Sequence, residues 1–77
     1  MNSTVQTTPA KLLDVIAVLE DQPAQTLVAG QVGTIVEELA TDVFEIEFCD
    51  KEGRTVCFAE LSRGDFLVLR HEPAVAA

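Results

Sequence analysis

The clearest pattern along the chain is a strict alternation of apolar and acidic residues over positions 44–48. One face carries Phe44, Ile46 and Phe48, and the other carries Glu45 and Glu47. A period of two with one wet face is typical of a strand in an antiparallel sheet. The pattern therefore predicts a strand over residues 43–49 whose apolar face covers a core.

The segment after this strand predicts a hairpin. A two-residue loop would force Glu52 to an unfavourable positive φ, whereas a three-residue loop places Gly53 in the left-handed region at little cost. The three-residue loop predicts the register Asp50 opposite Arg54, Cys49 opposite Thr55, and Phe48 opposite Val56. Residues 55–59 then form the partner strand, and its expected contribution to the inner face is Val56 and Phe58.

A glycine-containing segment before the hairpin predicts a bent strand over residues 31–39. Its apolar residues do not alternate cleanly, which is typical of a strand that coils around a small barrel. Gly30 can adopt the positive φ of a tight turn. Gly33, inside the strand, indicates a bulge or a close backbone approach.

The remaining elements are shorter. Residues 14–20 favour a strand, with a helix as the alternative because their apolar positions also fit a helical face. Residues 11–14 and 60–65 predict short helical turns, the second ended by Gly64, and residues 66–70 predict a last strand. The fold class is therefore mainly β, a small SH3-like barrel of about five short strands with one or two short helical turns. We expect a flexible leader over residues 1–10, the barrel over 11–70 and a flexible tail over 71–77.

Composition narrows the classes of function. The chain has 77 residues, 48% of them hydrophobic, and a formal net charge of −8. Such a charge repels nucleic acids and anionic membranes and attracts basic proteins, although an acidic surface also serves solubility alone. Four Phe and no Trp or Tyr weigh against aromatic grooves for proline-rich peptides and against base-stacking platforms.

The acidic residues form the candidate binding site. We expect a docking surface for the basic cleft of a nuclease-like protein, with carboxylates mimicking phosphate charge. The alternative is a solvated strand face without a partner. The candidate residues are Glu37, Glu38, Glu45, Glu47 and Asp50.

Cysteine and histidine predict neither catalysis nor a cofactor or metal site. Cys49 and Cys57 are expected on the same outward face at diagonal positions, as two free thiols rather than a disulfide. His71 is alone in the predicted tail, so neither zinc binding nor a cysteine nucleophile with a histidine base is expected. The first ten residues show no secretory signal and no apolar run has membrane-spanning length, so we expect a cytoplasmic protein.

The block Gly-Gln-Val-Gly-Thr-Ile-Val-Glu at residues 30–37, with residues 44–48 and 50–55, resembles a family of short bacterial proteins. This is the domain-of-unknown-function family forty-nine twenty-six, and the resemblance spans residues 12–69. The same block also resembles the glycine-containing strand of KOW and other SH3-like barrels. Members of the family look like products of small gene cassettes, several beside predicted toxins. The resemblance therefore implies an antitoxin or immunity role and supplies no catalytic residue.

These observations lead us to expect a non-enzymatic, acidic protein-binding module that is the antitoxin or immunity partner of a basic toxin. One alternative is a KOW-like nucleic-acid or ribosome-associated module, which the glycine strand favours and the charge opposes. The other is a homo-oligomeric structural protein that assembles through an open strand edge.

Overall fold

A computed structural model describes residues 9–69 of the protein. The strands are β1 (Val15–Val18), β2 (Val32–Ala40), β3 (Val43–Cys49), β4 (Thr55–Ser62) and β5 (Phe66–Val68). Two single 3₁₀ turns, Pro23–Gln25 and Arg63–Asp65, lie in the connections. The described residues contain no α-helix.

The five strands form one antiparallel sheet in the order β4-β3-β2-β1-β5. Strands β2, β3 and β4 follow one another as a meander, and β5 returns to pair with β1. Five short strands with this order, and a 3₁₀ turn before the last one, make a small SH3-like barrel. The predicted fold class is confirmed, and β1 is a strand rather than the alternative helix.

The core is built from inward-facing side chains of the sheet and its connections. Phe44 and Phe66 pack edge to face, with their ring centroids 5.8 Å apart. Half-buried Ala10 also packs against the core. The buried apolar residues are Ile16, Val18, Leu27, Ile35, Phe44, Ile46, Phe48, Ala59, Leu61 and Phe66. The three predicted core residues of β3 are thereby confirmed.

Gly33 lies where the backbone of β2 meets core side chains directly. A Cβ atom at this position would lie 2.6 Å from Ile46 Cγ2 and 2.8 Å from two ring atoms of Phe48. The predicted close approach is therefore confirmed. Gly30 and Gly53 adopt positive φ angles of 88° and 83°, as the two predicted turns require.

Strand β2 bends through two irregularities in its pairing with β3. Val36 is an extra residue between the pairs Ile35–Ile46 and Glu37–Glu45. Leu39 is a second extra residue closer to the end of the strand. Such bulges bend and twist a strand, which explains why its apolar residues do not alternate.

The β3–β4 hairpin has the predicted loop but a different register beyond it. The N–H of Asp50 donates to the Arg54 carbonyl at 2.8 Å, and Cys49 pairs with Thr55. The register then shifts by one residue at Val56, so Phe48 pairs with Cys57 rather than with Val56.

This bulge reverses the faces of β4, because one inserted residue moves each following side chain to the other side. Val56 and Phe58 are 62% and 55% exposed, so the prediction that they face the core is wrong. Cys57 is half-buried and packs against the core, so the prediction that it shares an outward face with exposed Cys49 is also wrong.

Two predicted helical turns are also wrong in extent or type. Residues 60–62 belong to β4, where Leu61 gains a buried position, and only Arg63–Asp65 forms a 3₁₀ turn. Gly64 lies in the middle of that turn rather than at its end. Residues 11–14 form a tight turn in which Leu13 has a positive φ of 72°. The predicted leader up to residue 8, the tail over 71–77 and Arg70 of the last strand lie outside the described residues.

We expect Gly33→Ala to destabilise the fold by about 1–3 kcal/mol, because the added methyl group forces Ile46 and Phe48 out of their packed positions. Gly64→Ala is the matched control, because a Cβ there meets nothing within 4 Å and its φ is not positive. Urea unfolding of both variants checks this. Equal midpoints for Gly33→Ala and wild type would contradict the close approach at Gly33.

Candidate functional site

Three glutamates lie side by side across the outward face of the β2–β3–β4 meander. Glu37 pairs with Glu45, and Glu45 pairs with Glu60 on its other side. Residues directly opposite on neighbouring strands have Cβ atoms about 4.5–5.5 Å apart. These three residues therefore form a continuous row of carboxylates, named here the glutamate row.

The glutamate row has no counter-ion among residues 9–69. The ion pairs of this part of the chain join Lys11 to Asp14, and Arg54 to Asp50 and Glu52. Like charges directly opposite each other on neighbouring strands are destabilising. Repulsion within the row therefore destabilises the fold, and no ion pair within residues 9–69 offsets it.

Two exposed apolar side chains lie beside the glutamate row. Phe58 lies on the same outward face, opposite Glu47, and Leu39 is 45% exposed beside it. A shallow depression of about 210 Å³ lies here, lined by Gln25, Leu39, Glu45, Phe58, Ala59 and Glu60. Exposed apolar surface with a polar rim is typical of sites that bind another protein.

The structure brings together part of the predicted acidic site. Glu47 shares the outward face, where it accepts a hydrogen bond from the Thr55 hydroxyl. Glu38 is opposite Phe44 and so lies off the glutamate row. Of the five predicted residues, the sheet register therefore groups Glu37, Glu45 and Glu47.

Glu60 is a member of the row that the sequence prediction missed. The sequence pattern predicts a helical turn at this position, whereas Glu60 lies within β4. The alternation of Ala59, Glu60 and Leu61 is the signal that marks it as an outward residue of a strand.

Asp50 serves the hairpin turn rather than the glutamate row. Its Oδ1 accepts the backbone N–H groups of Glu52 and Arg54, each at 2.9 Å, and its Oδ2 accepts Arg54 Nε at 3.0 Å. These donors, the Arg54 backbone N–H foremost, lower the pKa of Asp50 below its ordinary value of 3.8. The side chain is thus occupied in holding the loop closed.

The other polar chemistry of the described residues is sparse. Cys49 and Cys57 are free thiols. No group of three or more His, Cys, Asp or Glu within residues 9–69 is arranged to hold a metal ion. In the same part of the chain, no helix has the length and apolar character needed to cross a membrane.

Comparison with known protein families finds one family that matches most of the chain. Residues 12–68 match the sequence model of the family described as Domain of unknown function (DUF4926). The chain belongs to this family. No curated protein and no solved structure matches it. Membership of DUF4926 confirms the family resemblance seen in the sequence, and the family description names no activity.

Asp50→Asn tests the role of this carboxylate in the DUF4926 chain. Asn keeps an oxygen acceptor for the two backbone N–H groups and removes the charge that faces Arg54. Because folding lowers the pKa of Asp50, its ionisation stabilises the folded state above the unfolded value of 3.8. That contribution is lost as the pH falls through the lower folded value.

We therefore expect Asp50→Asn to be less stable than wild type at about pH 7, and the difference to shrink at about pH 3, because that pH lies below the unfolded value of 3.8 and approaches the lower folded value. Urea unfolding at the two pH values measures this. A difference of equal size at both would show that the charge of Asp50 contributes nothing.

Proposed function

We propose that the chain is a non-enzymatic protein-binding module that docks a basic protein on the outward face of β2, β3 and β4. In this proposal the partner is a toxin or a nuclease-like protein, and the chain acts as its antitoxin or immunity protein. The observation that carries the proposal is the glutamate row, which has no counter-ion in residues 9–69 and lies beside exposed Phe58.

The energetics of the row support this proposal. Each direct pair of like charges costs up to about 1 kcal/mol, by the scale of cross-strand pairs. A lysine or arginine of a partner that settles between Glu45 and its neighbours removes this repulsion and gains attraction. The same contact covers Phe58 and Leu39, and removal of their exposed apolar surface from water stabilises the complex.

The overall charge supports a basic partner by a second route. A net charge of −8 on 77 residues attracts a positively charged protein before contact and raises the association rate. A nuclease-like cleft binds phosphates through lysine and arginine. A row of carboxylates carries negative charges at a regular spacing, as a chain of phosphates does. Such a surface competes with nucleic acid for the cleft.

Glu45→Lys is the variant that separates binding from stability. A lysine in the middle of the row faces Glu37 on one side and Glu60 on the other, so we expect the free energy of unfolding to rise by about 0.2–1 kcal/mol. Binding of a basic partner should fall sharply, because the centre of the docking face now repels it. Urea unfolding and partner capture measure the two effects.

Glu38→Lys is the matched control for this variant. It makes the same change in net charge but lies off the glutamate row. We expect it to retain capture that Glu45→Lys loses. Equal loss in the two variants would show that net charge alone drives binding and that the outward face is not the docking surface.

The partner itself is sought by capture with tagged protein from nuclease-treated lysate of the native host, read by mass spectrometry. A single stoichiometric basic protein, retained by wild type and Glu38→Lys, supports the proposal. Capture of nucleic acid, lost on nuclease treatment, would overturn it in favour of a KOW-like module. Recovery of only the chain itself would overturn it in favour of a homo-oligomer.

A further inference from the structure

The side chain of Gln25 occupies the edge of β4 as a neighbouring strand would. Gln25 Nε2 donates to the carbonyl of Glu60 at 3.0 Å, and Gln25 Oε1 accepts the N–H of Glu60 at 3.2 Å. An amide that both donates to and accepts from one residue reproduces the bonding of an antiparallel strand pair. Since β4 is a terminal strand of the sheet, these backbone groups would otherwise lie open.

At the next outward position of β4, the backbone N–H is occupied as well. The N–H of Ser62 donates to Asp65 Oδ2 at 2.9 Å, within the 3₁₀ turn that follows the strand. Because backbone groups point alternately to the two sides of a strand, Phe58 directs its N–H and carbonyl away from β3, as Glu60 and Ser62 do. The edge is therefore closed at both backbone groups of Glu60 and at the N–H of Ser62, whereas the outward groups of Phe58 have no hydrogen-bond partner within residues 9–69.

The loop that carries Gln25 is itself anchored. Gln25 ends a 3₁₀ turn, and the next residue, Thr26, has a positive φ of 58°. Gln22 and Leu27 form an isolated bridge across the loop, and the Leu27 side chain is buried in the core. These contacts fix the loop, so that the side-chain amide of Gln25 is held in position against β4.

We propose that Gln25 guards the edge of β4, and that removal of its amide opens this edge to pairing with a second copy of the chain. In an antiparallel pair centred on Ala59, Phe58 of each copy is opposite Glu60 of the other. Both residues direct their backbone groups outward, so each such pair exchanges two hydrogen bonds. With Gln25 in place the groups of Glu60 are occupied, and neither pair forms.

Electrostatics favour a second copy at the edge over one on the outward face. In the register centred on Ala59, no glutamate is directly opposite another, because Glu60 meets Phe58 of the other copy. A pair formed face to face would instead bring two glutamate rows together at a net charge of −8 for each copy. The edge proposal is independent of the proposed docking of a basic protein.

Gln25→Ala tests this inference through mass and amide exchange. Light scattering is expected to show wild type at 8.3 kDa throughout, and the variant rising towards twice that mass as its concentration increases. In dilute solution the amide proton of Glu60 should exchange faster in the variant than in wild type. As dimer forms, the amide protons of Glu60 and Phe58 should both become protected.

Two further variants keep the test decisive if the loop is loosened. Gln22→Ala changes a glutamine of the same loop whose backbone, not side chain, makes its hydrogen bonds within residues 9–69, and it should stay monomeric. Gln25→Ala with Phe58→Pro removes an N–H needed for pairing, at an edge position where proline is tolerated, and should return the chain to monomer. The proposal is overturned if Gln25→Ala stays monomeric with a fast Glu60 amide. It is also overturned if the Glu60 amide proton of Gln25→Ala exchanges as slowly as that of wild type in dilute solution. Dimerisation of the double variant as strong as that of Gln25→Ala would overturn it too.

Discussion

The absence of a side chain at Gly33 is the constraint on which the barrel depends. Gly33 is opposite Ile16 on one side and Phe48 on the other, so it lies where β2 joins the two parts of the sheet. The ring of Phe48 and a methyl group of Ile46 occupy the space that a Cβ would take. The sheet can therefore fold over a core built from few large side chains, as a domain of this size must.

Sequence patterns predict the elements well where only one face is apolar. Strand β3 alternates phenylalanine or isoleucine with glutamate, so its bounds and its buried face follow directly. The start of β4 is apolar on both faces, and alternation cannot choose between them. The choice is made by the bulge at Val56 and by the burial of Leu61 further along, both of which depend on packing beyond the local sequence.

The same limit explains the partial prediction of the glutamate row. The sequence predicts Glu45 on the outward face because apolar and acidic residues alternate along its own strand. The placement of Glu37 opposite it depends on the extra residue Val36, which no local pattern marks. The sequence does not predict Glu60 in the row because the predicted strand ends at residue 59, whereas β4 continues to Ser62. The residues adjacent in sequence predict which face of a strand a side chain lies on. Which residues lie opposite it on neighbouring strands can be known only from the register of the sheet.

Glu60 connects the two proposals through different parts of one residue. Its side chain belongs to the glutamate row, and its backbone is held by Gln25, which also lines the depression beside the row. The loop of Gln25 therefore fixes the end of β4 that carries one third of the row. The contact that closes the edge at Glu60 therefore also positions the Glu60 side chain within the glutamate row.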